Sequence, residues 1–128
     1  MKLSYDEMEY VHFFCSMIEL ISRKTNNRRA DIINYFTLQD IAEELELAEV
    51  NRCLPVSQVF DEYLDSYNIE TGSYTHDPKT AALFTYSQIG KILQVYAAAK
   101  VENQGCDLAF AVKEVLSGSL NDLFAGME

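Results

Sequence analysis

A chain of 128 residues has the length of one domain and can bury roughly two-thirds of its unfolded surface, so it needs no disulfide or metal staple to fold. Its apolar content of 48% excludes a disordered chain, and no apolar run approaches the ~20 residues of a membrane-spanning helix. The net charge of −10 argues against a nucleic-acid partner, whose phosphates would be repelled. Cys15, Cys53 and Cys106 are odd in number and scattered, which points away from a disulfide framework and toward a reducing compartment. The opening Met1-Lys2-Leu3-Ser4-Tyr5-Asp6-Glu7 turns acidic at once and lacks a signal-peptide pattern, so the expected location is cytoplasmic.

Ser4-Tyr5-Asp6-Glu7 reads as a capping box that opens a helix running to about Lys24. Met8, Val11, Phe14, Cys15, Ile18, Ile21 and Ser22 recur at helical spacing, and Phe13, Met17 and Leu20 widen that face. A helix this apolar belongs at the centre of a core. Thr25-Asn26-Asn27 is a turn, and Arg28 to Phe36 predicts a short helix burying Ile32, Ile33 and Phe36. Thr37 caps the next helix, Leu38 to about Ala48, with Leu38, Ile41, Ala42 and Leu45 inward and Asp40, Glu43 and Glu44 outward.

Pro55 suits the first turn of a further helix, which runs to about Tyr67 and buries Val56, Val59, Phe60, Tyr63 and Tyr67. Residues 68–78 carry turn chemistry in Asn68, Gly72, Ser73, Asp77 and Pro78. Ala81 to Phe84 reads as either extended or helical. Thr85-Tyr86-Ser87-Gln88 is a second capping box, opening a helix to about Lys100 with Ile89, Ile92, Leu93 and Tyr96 inward. Asp107 caps a helix burying Leu108, Ala111, Val112, Val115 and Leu116. Ser117-Gly118 ends it, and Ser119 starts a last short helix through Phe124. The predicted fold is all-α: a compact bundle of five to seven helices in a single domain, 1–128, with sub-halves 1–67 and 79–128 joined near residues 68–78.

The charge is localised. Residues 40–77 contain Asp40, Glu43, Glu44, Glu46, Glu49, Asp61, Glu62, Asp65, Glu70 and Asp77 against one base, Arg52, while the flanking thirds are close to neutral. Asp40, Glu43, Glu44, Asp61, Glu62 and Asp65 are therefore expected to form an acidic face that binds a basic protein surface, although a purely solubilising face has the same composition. Tyr63, Tyr67, Tyr74 and Tyr86 lie in or beside this region. A contact surface would use them, but the helical spacing of Tyr63 and Tyr67 favours the core.

Other chemistry is thin. His12 and Cys15 share a helix face but lack further ligands at zinc-site spacing, so no metal or cofactor is expected. His76 beside Asp77 offers a general acid–base pair, yet sequence neighbours do not normally orient one another, and a solvated loop histidine explains it more simply. The chain has neither a phosphate-binding glycine loop nor a nucleophile turn. Leu38 to Leu47 has the pattern of the first helix and turn of a helix-turn-helix, with Val50, Arg52 and Leu54 opening a recognition helix. Glu46 stands where that turn wants glycine, and one arginine in an acidic field cannot grip phosphates. Arg23, Lys24, Arg28 and Arg29 form one basic cluster, which pairs with the protein's own acids, sits solvated, or holds a single phosphate or acidic peptide.

The order of three short helices over residues 8–65, with Phe13-Phe14, Tyr35-Phe36 and Phe60, resembles a family of small helical bacterial domains of unknown function encoded beside ADP-ribosyltransferase-like toxins. That family shows a Leu-His-Thr-Gln stretch near its third helix. Here Leu54-Pro55-Val56-Ser57 stands in its place. The resemblance implies a toxin-neutralising or partner-binding role. Both lines lead to a non-enzymatic interaction protein of antitoxin, immunity or inhibitor type, with its oligomeric state open. The alternatives are a helix-turn-helix transcriptional regulator and an enzyme built on His76 and loop carboxylates.

Overall fold

A computed structural model of the protein describes residues 2–118. These form seven helices and no strand: α1 (Tyr5–Thr25), α2 (Arg29–Ile33), α3 (Leu38–Asn51), α4 (Val56–Tyr67), α5 (Pro78–Leu83), α6 (Tyr86–Gln104) and α7 (Leu108–Ser117). The all-α fold expected from the sequence is the one observed. The short helix expected from Ser119 lies outside the described residues.

Three of the helices open on reciprocal caps. At α1 the Ser4 hydroxyl accepts the Glu7 N–H and the Glu7 carboxylate accepts the Ser4 N–H; Thr37 with Asp40, and Thr85 with Gln88, repeat the arrangement for α3 and α6. Each cap satisfies backbone donors that the first helical turn leaves free. Asn26 closes α1 and Asn68 closes α4 in the left-handed conformation, and Gly105 does the same for α6.

α1 is the axis of the molecule. Every residue from Phe14 to Ser22 is buried, so this stretch is enclosed on all sides, not only along one stripe. It packs most extensively on α6 and also touches α2, α3 and α7. The close approach to α6 depends on Gly90, where an added Cβ would collide with Ser16 Oγ and lie 2.8 Å from the Ser16 Cα. One hydrophobic cluster draws Val11, Phe14, Ile18, Ile32, Ile41 and Val59 from the first half and Ile89, Leu93, Val112 and Leu116 from the second. α4 docks through rings: Tyr63 and Tyr67 pack against Phe36, and Phe36 meets Phe14 edge-on at 5.6 Å.

Enclosing α1 buries one charge, Glu19, 3% exposed. Its carboxylate receives Arg23 Nε at 2.7 Å and Arg29 Nη1 at 2.6 Å, and Arg23 Nη2 also donates to the Phe84 carbonyl. Two helices and the α5–α6 connection are thereby tied to one carboxylate. Removing a partner from a buried ion group of this kind costs about 3–5 kcal/mol, because a charge is left uncompensated.

Candidate functional site

The six acids expected on one face separate into two groups. Asp40, Glu43, Glu44 and Glu62 converge where α3 meets α4, while Asp61 and Asp65 are exposed on α4. Glu44 corrects the expectation. It is buried, 6% exposed, and its carboxylate accepts the Tyr67 hydroxyl at 3.0 Å. The turn of α3 that buries Ile41, Leu45 and Ala48 carries Glu44 inward beside α4, so this acid joins two helices. Burial pushes its carboxyl above the usual range, the Tyr67 hydrogen bond opposes the shift, and Asp40, Glu43 and Glu62 add to it. The same burial, with Glu44 beside it, raises the Tyr67 hydroxyl above its ordinary value.

A concavity with an apolar floor lies on the other flank of α3. A groove of about 540 Å³ runs between α1, α3 and α7. Ala42, Leu45, Leu108 and Ala109 make its floor, and Glu7, Glu46, Glu49 and Asp107 stand around it with Tyr10. Helical spacing explains the α3 contribution, since residues 42, 45, 46 and 49 share a face. Glu7 and Asp107 come from helix caps, with oxygens already accepting Ser4 N–H and Ala109 N–H, so their carboxylates are held in place. Partial burial raises the Tyr10 phenol, Glu49 and Asp6 raise it further, and Arg52, stacked 5.4 Å over the ring, opposes them. These acids crowd a half-buried aromatic ring, and a cation is already drawn to it.

The sequence pattern missed this groove. Glu7 and Asp107 sit in thirds of the chain whose charges nearly cancel, and only the fold sets them beside Glu46 and Glu49.

The remaining candidates separate in the same way. A helix-turn-helix would need a turn at Glu46, but α3 continues through it to Asn51, because Leu45 and Ala48 keep the helix packed, and Val50 and Arg52 end that helix where a recognition helix would have begun. His76 and Asp77 do not face each other as a pair. His76 Nε2 lies 2.9 and 2.8 Å from the Ser22 and Asn27 carbonyls, and Asp77 caps α5 by accepting the Lys79 N–H. His12 Nε2 lies 3.0 Å from the Ser87 carbonyl, and Cys15 is fully buried, its thiol pushed up to about 12. Among the described residues no three His, Cys, Asp or Glu side chains converge as metal ligands, and no helix is long and apolar enough to cross a membrane. Comparison with protein families, curated proteins and solved structures found no match to this chain.

Proposed function

We propose that this protein is a non-enzymatic interaction module whose acidic groove takes a basic, amphipathic segment of a partner protein, as an antitoxin, immunity or inhibitor protein would. The observation that supports the reading is the groove itself: four carboxylates around a floor of Ala42, Leu45, Leu108 and Ala109. An aliphatic stem with a cationic head, the chemistry of Lys or Arg on one side of a helix, matches both the floor and the rim. Glu43, exposed on α3, and Asp61, Glu62 and Asp65 on α4 extend the negative field beyond the groove and would steer the partner inward.

The test is calorimetric titration of the full chain with an amphipathic Lys/Leu helical peptide at low and high salt. Reversing Glu46 and Glu49 to Lys should weaken binding by about tenfold or more and flatten its salt dependence. Reversing Asp61 and Asp65 should slow association with a smaller effect on affinity. Unchanged affinity and salt slope in the Glu46/Glu49 variant would sink the groove as the contact.

A further inference from the structure

Opposite in sign to the groove is a pocket built where residues 68–77 fold back over the α1–α2 turn. The Gly72 and Tyr74 N–H groups each donate at 2.8 Å, to the carbonyls of Thr25 and Asn26. Gly72 has no room for a side chain there, since a Cβ would sit 2.8 Å from the Asn26 carbonyl oxygen and closer still to the Asn27 side chain. His76 Nε2 faces two carbonyl oxygens, both acceptors, so that nitrogen carries the hydrogen. Tyr74 meets the His76 ring edge-on at 4.9 Å, and the Arg28 guanidinium lies 5.1 Å over the Tyr74 ring. Between this stack and the end of α7 is a cavity of about 340 Å³, lined by Arg28, Arg29, Tyr74, His76 and Ser117 among others.

Cations are in excess on this wall. Arg28 has no ion-pair partner among the described residues, and Asp31 uses a carboxylate oxygen on the Arg28 backbone N–H. Arg29 shares Glu19 with Arg23, so two guanidinium groups face one carboxylate. The Arg29 Nε is buried and has no acceptor among the described residues. In a molecule of net charge −10, a guanidinium that no carboxylate of the described residues pairs, held over an aromatic ring beside a second guanidinium that shares its carboxylate with a third, is a local inversion of charge. We propose that this pocket binds a phosphate group, free or as a monoester, through Arg28 and Arg29. The planar fork of arginine matches a tetrahedral oxyanion, and Tyr74, braced edge-on by His76, holds the Arg28 fork in place.

The test is titration of the full-length protein with inorganic phosphate and, separately, O-phosphoserine, followed by backbone amide NMR. Saturating shifts confined to residues 28–30, 74–76 and 118 are the expected result, with Arg28→Ala weakening binding about tenfold and Arg28→Lys falling between. Thermal melts of both variants serve as the folding control, and Arg28→Lys keeps the comparison available if Arg28→Ala unfolds. Tighter binding of phosphoserine identifies a monoester as the ligand, and equal binding identifies the free ion. Shifts that do not saturate, that spread to Lys2 or Lys91, or that persist unchanged in both variants would overturn the proposal.

Discussion

At Glu44 one side chain carries opposing demands. The carboxylate is removed from water and surrounded by other acids, yet it holds the Tyr67 hydroxyl. Because its folded-state pKa is raised, the native state binds the Glu44 proton more tightly than the unfolded chain does. Its contribution to stability is therefore full at acid pH, falls as pH rises from the ordinary carboxylate value to the raised one, and stays lost above that. Glu44→Gln keeps an acceptor for Tyr67 and removes the charge. This variant is expected to melt higher than the wild type at neutral pH, with the gap closing as pH falls through the carboxylate range. A pH series of thermal melts checks this, and a gap that widened toward acid would contradict it. At Glu19, equally buried, two guanidinium groups answer the charge. Its i, i+4 spacing to Arg23 was visible in the sequence, but Arg29, ten residues on, was not a legible partner.

At the scale of the helix, packing and propensity compete most clearly at Gly90. Alanine favours a helix over glycine by about 1 kcal/mol. Here the new methyl would meet Ser16, backbone included, at the closest approach of α1 and α6, and overpacking of that kind costs about 1–3 kcal/mol or more. Gly90→Ala should therefore lower the melting temperature, by several degrees, although it improves local propensity. A melt unchanged or raised would mean that the two helices separate without loss.

Helix starts were the most legible part of the fold. The caps at Ser4, Thr37, Thr85 and Asp107 join residues two or three apart, so no tertiary information was needed to find them. Helix ends were less legible. α3 runs past Ala48 to Asn51, and α5 begins at Pro78 behind an Asp77 cap, although only Ala81 to Phe84 had an apolar signature. α5 buries none of its residues, so the periodicity that marks a packed helix was absent.

Over the whole molecule the charge of −10 acts twice. It opposes the compact state by self-repulsion, and it makes the folded surface attractive to cations. Screening weakens the first effect, so roughly 0.5 M NaCl, where the Debye length falls to about 4 Å, should raise the melting temperature. The same salt should weaken docking of a basic peptide. Measured together, the two responses should have opposite signs, and a fall in stability with salt would show that the buried and surface ion pairs outweigh the repulsion.

The sequence by itself determined the fold class, the positions of the caps, the central place of α1 and the acidity of residues 40–77, because each depends on neighbours within one or two helical turns. The tertiary structure decided which acids matter together. It turned Glu44 inward, left Asp61 and Asp65 outside, and gathered Glu7, Glu46, Glu49 and Asp107 from three helices around one groove. It also set Arg28 and Arg29 against Tyr74 and His76, over forty positions away. The physical reason is range. Capping and amphipathic patterning act along the chain, whereas a pocket is defined by side chains that share space and are linked only by the way the helices pack.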